Sequence, residues 1–272
     1  MPPSKQGPRA RKALGQHFLR DRRILARIAS AVRVPEGGVV VEIGGGTGEL
    51  TAALLEAGHE VIVLEIERRL VEHLSTRFAG APGLAIIEGD ARTVDIGVLA
   101  GGRPFAIAGN LPYFAAAPII RRILEGDVRP AEAVVMVQRE VAHEMAAEPG
   151  RLSLFGISVQ VYAEPEILFD VPAAAFDPPP KVVSSVVRLT LRPEPLVPVE
   201  QREAFFRLVR LTFRNRRKQL HNALDRSTCV EPGRAAEALA SAGIDSTRRA
   251  ETLAIREWID LLDACEAQPP NA

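Results

Sequence analysis

From Val39 onward, the chain alternates short aliphatic runs with longer amphipathic stretches. Continuous apolar runs of this kind are typical of parallel strands that are buried on both faces. The stretches between them have helical composition and spacing, so the repeated βα pattern predicts an open α/β sheet with helices on both sides. The predicted strands are 39–43, 60–65, 84–89, 104–110 and 131–138, and the predicted helices are 49–57, 67–78, 115–125 and 139–147.

The pattern changes in the last third of the chain. Apolar and polar residues alternate over 182–191, which predicts a later, antiparallel strand. The segment 192–200 is rich in proline, which disfavours both a helix and a central strand. Beyond it, 201–224, 233–242 and 255–266 are predicted helices. We therefore expect a sheet domain over 1–192, a linker over 193–200 and a small all-helical C-terminal domain over 201–272.

Composition places the chain among ordinary globular proteins, with 272 residues, 47% hydrophobic and 25% charged. Hydrophobicity is too high for disorder, and the sequence has no unbroken apolar run of the roughly 18 residues that a spanning helix needs. Cys229 and Cys265 lie outside any CxxC or Cys/His spacing. Two reduced thiols, no metal site and no membrane partner are therefore expected.

Charge is balanced overall but unevenly distributed. Residues 1–33 carry nine basic side chains against one acidic, 200–228 carry eight against three, and the middle of the chain is acidic. The two basic stretches could present one positive face to a polyanion, although solvated charge is the alternative for either alone. The N-terminus lacks the serine enrichment of a transit peptide and the apolar segment of a secretory signal, which favours a cytoplasmic protein.

A glycine loop, "VVEIGGGTGELT" at 40–51, follows the first predicted strand and opens a helix. Glycine lets the backbone turn tightly and lets a ligand approach it closely, so Gly44, Gly46 and Gly48 suit a nucleoside cofactor, with a plain turn as the alternative. Glu65 ends the second predicted strand, where a carboxylate can accept both hydroxyls of a ribose.

The spacing of the loop distinguishes between cofactors. A dinucleotide fingerprint requires glycine at position 49, where this chain has Glu49, which would face a pyrophosphate. Glu42, Glu65 and Asp90 at successive strand ends suit the cationic sulfonium of S-adenosylmethionine, and Asp90 could accept from the adenine amino group or simply cap a helix. The pattern favours S-adenosylmethionine and disfavours an NAD oxidoreductase.

A second motif, "GNLPYF" at 109–114, closes the fourth predicted strand. The side-chain oxygen of Asn110 and the carbonyl of Leu111 can accept the hydrogens of an exocyclic adenine amine, which would free its lone pair, and Pro112 fixes the turn. Tyr113 offers a face on which a flipped base could stack. The alternative is a proline turn with a buried tyrosine.

Together with other segments, these motifs resemble the KsgA-type family of small-subunit ribosomal RNA adenine dimethyltransferases. The motifs run in family order along most of the chain: "KALGQHFLRD" (12–21), "VVEIGGGTGELT", "GNLPYF", "GRLS" (150–153), "AFDPPPKVVSSVVRL" (175–189) and "FRNRRKQLHNAL" (213–224). The resemblance implies a class I (Rossmann-like) S-adenosylmethionine-dependent methyltransferase sheet and a helical C-terminal domain that contacts RNA or the ribosome. It implies dimethylation of two adjacent adenosines in the 3′-terminal hairpin loop of small-subunit rRNA during ribosome biogenesis.

The resemblance also implies roles for particular residues. The cofactor contacts are expected at His17, Leu19, Gly44, Gly46, Glu65, Asp90 and Asn110. The target-base site is expected at Asn110, Leu111, Pro112, Tyr113 and Phe176. In the basic segment, phosphate contacts are expected at Arg214, Arg216, Arg217 and Lys218, although Arg216 and Arg217 could instead pair with acidic residues of the sheet domain. The partner is expected to be small-subunit rRNA or the assembling 30S particle, and the protein a monomer.

The chain departs from the family pattern at three places: His17 stands where Asn is common, 114–117 has an unusual sequence, and Gly45 replaces a frequent proline, which we expect to make the loop more flexible. Two other functions compete with this interpretation. The erythromycin-resistance enzymes, which act on large-subunit rRNA, share the loop and the adenine chemistry. A non-catalytic methyltransferase fold would be expected to have a degraded 110–113 motif, whereas here the motif is intact.

Overall fold

The computed structural model describes Pro8, Arg11 and residues 16–215, 217–227, 229–231 and 233–266. In this part of the chain, no helix has both the length and the apolar content that crossing a bilayer requires. The chain divides into two compact units, one formed by Met1–Ala142 with Ala163–Leu191 and the other by His143–Tyr162 with Arg192–Ala272.

The first unit contains the strands. They are β1 Phe18–Leu19, β2 Val39–Ile43, β3 Val61–Glu65, β4 Leu84–Glu88, β5 Phe105–Asn110, β6 Glu132–Gln138, β7 Ala163–Val171, β8 Phe176–Asp177 and β9 Ser184–Leu191. Seven of them form one sheet in the order β4-β3-β2-β5-β6-β9-β7, and β1 pairs with β8. β2 to β6 are mutually parallel along this order, whereas β9 runs antiparallel to β6 and to β7.

The five predicted parallel strands and the antiparallel strand near 182–191 are confirmed. β2 and β3 are buried at all five of their positions, which explains their continuous apolar sequence. β7 was missed because "AEPEILFDV" contains a proline and three acidic residues. Such a strand is tolerated here because β7 is at the edge of the sheet and pairs only with β9.

Helices pack on the sheet and form the second unit. They are α1 Arg22–Ala31, α2 Glu49–Glu56, α3 Arg68–Arg77, α4 Ile96–Leu99, α5 Ala116–Glu125, α6 Arg139–Met145, α7 Leu154–Gln160, α8 Arg202–Phe213, α9 Leu220–Asp225, α10 Ala235–Ser241 and α11 Ile255–Glu266. α1 lies in the basic N-terminal stretch and was not predicted. Asp21 caps it by accepting hydrogen bonds from the backbone N–H groups of Arg23 and Ile24.

The predicted continuous helix 201–224 is wrong. α8 ends at Phe213 and α9 begins at Leu220, with a turn between them that is closed by a hydrogen bond from Lys218 N–H to the Asn215 carbonyl. Residues 214–219 have no apolar side chain to bury, and like charges at helical spacing repel one another. The described residues of the basic segment, 214, 215 and 217–219, therefore lie in a loop between α8 and α9.

The second unit also differs from the expected domain boundaries. The chain leaves the sheet unit after Leu191, close to the predicted end at 192, but residues 143–162 group with the C-terminal helices. Within this unit the Tyr162 ring stacks on Phe206 at a centroid distance of 6.4 Å. Residues 143–162 were assigned to the sheet domain because they follow a βα repeat in sequence.

The helical unit has its own core, in which Phe205 and Trp258 are fully buried. The two cysteines, Cys229 and Cys265, are free thiols. Burial raises the pKa of both, that of Cys265 to about 11, which keeps the thiols protonated near neutral pH.

Candidate active site

The site lies at the carboxyl edge of the parallel strands. Ile43 is in register with Leu64 of β3 and with Gly109 of β5, so the loops after these strands begin side by side. In this way the sheet brings the glycine loop, Glu65 and Asn110 to one edge, where open α/β sheets bind ligands.

The glycine loop adopts conformations that only glycine takes readily. Gly44, Gly46 and Gly48 have φ of 79°, 55° and 85°, in the left-handed region. Gly45 is constrained differently, because a Cβ added there would lie 2.4 Å from Cγ1 of Val63. The expected extra flexibility at Gly45 is therefore not what the structure shows: this residue is tightly packed against β3.

Glu65 ties the loop to the end of β3. Its carboxylate is 4% exposed and accepts hydrogen bonds from Gly46 N–H and Glu67 N–H, both at 2.9 Å. Burial raises the pKa of Glu65 and these backbone hydrogen bonds oppose the rise. Each carboxylate oxygen keeps acceptor capacity for a hydroxyl group.

Glu42 lies beneath the same loop and is 1% exposed. The hydroxyl of Thr51 donates to its Oε2 at 2.6 Å. Burial raises the pKa of Glu42 to about 8, and the charge of Glu65 adds to the rise. Among the described residues, neither of these buried carboxyls has a cationic partner, so the site favours a ligand that brings positive charge.

A cleft opens between the glycine loop, α1 and the end of β5. It contains Leu19, Gly44, Gly46 and Asn110 of the predicted site. Several further residues that the sequence did not predict as site residues line the cleft, among them Phe18, Leu25, Ile28, Thr47, Leu50 and Met136. Phe18 could have been found from its place next to His17 in the N-terminal motif, whereas Met136 sits in an ordinary apolar strand that carries no such signal.

These residues fit S-adenosylmethionine. Gly44 to Gly46 offer a backbone surface without side chains for a nucleoside, and Glu42 adds a buried acid suited to a cation. Glu65 does not itself line the cleft, but it binds Gly46 of the loop and offers an acceptor for ribose hydroxyls beside it. Glu49 opposes a pyrophosphate less than its charge alone would, because Arg20 and Arg77 pair with its carboxylate at 3.0 and 2.9 Å.

Asp90, the third acidic residue at a strand end, is bound by its own neighbour. Arg92 donates to both carboxylate oxygens through its guanidinium and once through its backbone N–H. The side-chain hydrogen bond from Arg92 lowers the pKa of Asp90 and keeps it ionised. The expected contact with the adenine amino group stays a prediction, and it would share these oxygens with Arg92.

The segment Asn110–Tyr113, which we call the Asn110–Tyr113 turn, leads from the last residue of β5 into the turn that Ala115 N–H closes on the Pro112 carbonyl, and its Asn110 lines the cleft. Asn110 Nδ2 donates to the His17 carbonyl at 3.0 Å, and Leu111 N–H donates to the Met136 carbonyl at 3.1 Å. Because the Asn110 amide nitrogen is engaged, its oxygen is left to accept from another group. A role as an amine acceptor requires such a free oxygen.

Tyr113 and His17 lie against each other. Their ring centroids are 5.9 Å apart in a stacked arrangement, and the Tyr113 hydroxyl is 2.7 Å from Ser184 Oγ. His17 Nδ1 lies 2.8 Å from the Pro178 carbonyl, to which it can donate. The structure therefore places His17 beside the Asn110–Tyr113 turn and not among the residues that line the cleft, where a cofactor contact was expected.

Two phenylalanines near the site differ sharply in exposure. Phe176 pairs with Leu19 across β1 and β8 and is 4% exposed within the core. Its expected place near the target base stays a prediction. Phe114, directly after the turn, is 64% exposed, while Ala115 and Ala116 behind it are buried.

The expected phosphate contacts lie in the helical unit. Arg214, Arg217 and Lys218 are exposed, whereas Arg216 lies outside the described residues. On the sheet unit, Arg22 and Arg23 of the N-terminal basic stretch are also exposed at the start of α1. Each unit thus presents basic side chains to solvent.

The fold and the cleft define a class I S-adenosylmethionine-dependent methyltransferase with an additional helical unit. Residues 7–266 match the model of the family described as ribosomal RNA adenine dimethylase. The chain belongs to this family.

Individual relatives agree with this assignment. The chain is 41% identical, over 96% of its length and 92% of the relative's, to the ribosomal RNA small subunit methyltransferase A of Pelotomaculum thermopropionicum. It is 42% identical to the protein of the same name from Moorella thermoacetica, over 92% and 91% of the two chains. A crystal structure of the 23S rRNA methyltransferase ErmE has a TM-score of 0.74 and 28% identity, covering 92% of this chain and 99% of that one.

The buried carboxyl of Glu42 predicts a specific dependence of stability on pH. Its pKa in the folded protein, about 8, lies above its ordinary value, so between these two pH values the folded state holds a proton that the unfolded state has released. The contribution of protonated Glu42 to the free energy of unfolding is fully present at low pH. As the pH rises toward 8, up to about 1.4 kcal/mol of this free energy is lost per pH unit.

We therefore expect Glu42→Gln to be more stable than the native protein, by a margin that widens from pH 5.5 to 7.5 in urea denaturation. Glu88→Gln, at an exposed position at the end of β4, is the matched control and should leave the pH profile unchanged. Parallel profiles for Glu42→Gln and the native protein would show that Glu42 is ionised in the fold.

Proposed function

We propose that this protein transfers methyl groups from S-adenosylmethionine to the 6-amino groups of two adjacent adenosines in the 3′-terminal hairpin loop of small-subunit rRNA, during ribosome biogenesis. The observation that carries the proposal is the Asn110–Tyr113 turn at the edge of the cleft, with the Asn110 amide nitrogen bound to the His17 carbonyl. We further propose that the protein acts in the cytoplasm as a monomer on the rRNA or on an assembling particle.

The choice of the small subunit is supported by the relatives. The two named as small-subunit methyltransferases are 41% and 42% identical over at least 91% of their length, whereas the 23S rRNA methyltransferase ErmE is 28% identical. The sequence segments after the turn, "FDPPPKV" and "FRNRRKQL", favour the same choice.

Asn110 and Leu111 act on the geometry of the target nitrogen. An exocyclic adenine amine donates its lone pair into the ring and is a weak nucleophile. Two acceptors, the Asn110 side-chain oxygen and the Leu111 carbonyl, bind its hydrogens and favour a pyramidal nitrogen whose lone pair is free. Tyr113 presents its ring for the flipped base to stack on.

S-adenosylmethionine, when bound, supplies an electrophilic methyl group on a cationic sulfur. Gly44 and Gly46 would hold the nucleoside against the loop, Glu65 would accept from the ribose hydroxyls, and Glu42 would face the positive charge. The alkylated nitrogen loses its proton readily, so the turn needs no general base. This agrees with its lack of an acidic or imidazole side chain.

Loss of the Glu65 carboxylate should weaken cofactor binding. Glu65→Ala removes the acceptor that also fixes Gly46, so we expect a loss of about 1–3 kcal/mol in affinity for S-adenosylmethionine by calorimetry. Glu88→Ala, at the register partner on β4, is the control and should bind normally. Unchanged affinity in Glu65→Ala, or tight NAD binding by the native protein, would refute the cofactor site.

Asn110→Ala should slow methyl transfer about tenfold to a hundredfold while RNA binding stays nearly native, because the lost acceptor acts mainly in the transition state. Single-turnover rates on the hairpin RNA at saturating cofactor measure this effect, and cofactor affinity is measured in parallel because Asn110 lines the cleft. A near-native rate under these conditions would remove Asn110 from the mechanism.

The basic loop should bind RNA through phosphates. Changing Arg214, Arg217 and Lys218 together to Gln should weaken hairpin binding and make the plot of log affinity against log salt shallower by about 0.7 to 0.9 per lost contact. The control with the same change of charge is Arg103, Arg121 and Arg256 to Gln, three residues paired with acids at exposed sites. A native salt slope in the first variant would show that this loop does not contact RNA.

A further inference from the structure

A buried serine holds the hydroxyl of Tyr113. Ser184 is the first residue of β9 and is 0% exposed, in register with Gln138 of β6 and Val171 of β7. Its Oγ lies 2.7 Å from the Tyr113 hydroxyl, and the two residues are 71 positions apart in the chain. A strand of the sheet therefore fixes the outer end of a side chain in the Asn110–Tyr113 turn.

The contact satisfies two groups that would otherwise be costly to bury. A hydroxyl removed from water is destabilising unless it has a hydrogen-bond partner. Ser184 lies between two paired strands, and the Tyr113 hydroxyl is the partner that the structure gives its side chain. The hydrogen bond to Tyr113 therefore gives a physical reason for a hydroxyl group at this buried position.

The turn is held at both ends. Asn110 Nδ2 bonds to the His17 carbonyl and Leu111 N–H bonds to the Met136 carbonyl, which fixes the end that carries the amine acceptors. Ser184 fixes the end that carries the aromatic ring. Without this hydrogen bond, the Tyr113 side chain would be restrained only by its packing, which includes the ring of His17.

We infer that Ser184 is a positioning residue for the target base: it sets the Tyr113 ring at the angle on which the flipped adenine stacks. The inference rests on the proposed function of this site. Because Ser184 is fully buried, it acts through Tyr113 and does not itself touch the RNA. Its loss should raise the KM for the RNA and lower kcat, while cofactor affinity stays native.

The hydrogen bond can be observed without any activity assay. The chain has two tyrosines, so Tyr162→Phe leaves Tyr113 as the single tyrosine for titration by absorbance at 295 nm. Burial raises the pKa of Tyr113 and the Ser184 hydroxyl lowers it. Ser184→Ala in this background should therefore raise the Tyr113 pKa further, whereas Ser185→Ala, at the neighbouring buried serine that bonds to Asp170, should not change it.

Kinetics on the hairpin RNA complete the test. We expect Ser184→Ala and Tyr113→Phe each to reduce kcat/KM about threefold to tenfold, and the double variant to be no worse than the more affected single one, because both remove the same contact. Tyr113→Phe removes the same hydrogen bond but keeps the half-buried ring. If Ser184→Ala does not fold, this variant alone tests the positioning role. Native kcat/KM in Tyr113→Phe, or additive losses in the double variant, would overturn the inference.

Failure here is distinct from failure of the proposed function. If Asn110→Ala slows methylation and Tyr113→Phe does not, only the positioning role is wrong. If the native protein methylates no adenine, the proposed function is wrong, while the tyrosine titration still reports whether the hydrogen bond exists.

Discussion

The parallel alignment of β2 to β6 is the constraint on which the site depends. Parallel strands all end at one edge, so the residues that follow them converge there although they are far apart in sequence. The register of β2 with β3 and β5 sets the glycine loop beside Glu65 and Asn110. The positions of the glycine loop, Glu65 and Asn110 relative to one another therefore follow from one sheet topology.

Electrostatics at this edge favour a cationic ligand. Glu42 and Glu65 are buried at 1% and 4% exposure, and among the described residues neither has a cationic partner. Burial without such a partner raises the pKa of Glu42. Burial of the two carboxyls lowers the stability of the protein without ligand, and a positively charged ligand offsets this free-energy cost. The same burial therefore favours ligand binding. Carboxyls with perturbed pKa values are common in functional sites for this reason.

Features that depend on local pattern could be predicted from the sequence. β2 was predicted at its observed bounds, because a strand buried on both faces must be apolar throughout, and the glycine loop was identified by its spacing. The break after Phe213 is a local feature that the sequence does show, since residues 214–219 offer no apolar side chain to bury. The burial of Phe176 depends on a distant partner, because β8 pairs with β1.

The contacts that orient the site residues were not predictable for the same reason. The carbonyl of His17 binds Asn110 across 93 positions of the chain, and Ser184 binds Tyr113 across 71. No periodicity or short motif encodes such a pair. The sequence motif predicts which residues act, and the tertiary structure shows which contacts hold them.

Mass spectrometry of rRNA can show whether the protein methylates adenine in small-subunit rRNA. Unmethylated RNA from both ribosomal subunits is incubated with the protein and isotopically labelled S-adenosylmethionine, then digested and mapped. We expect dimethyladenosine at two adjacent positions in the 3′-terminal hairpin loop of the small-subunit RNA. Label in large-subunit RNA, on another base, or in neither RNA would contradict this expectation.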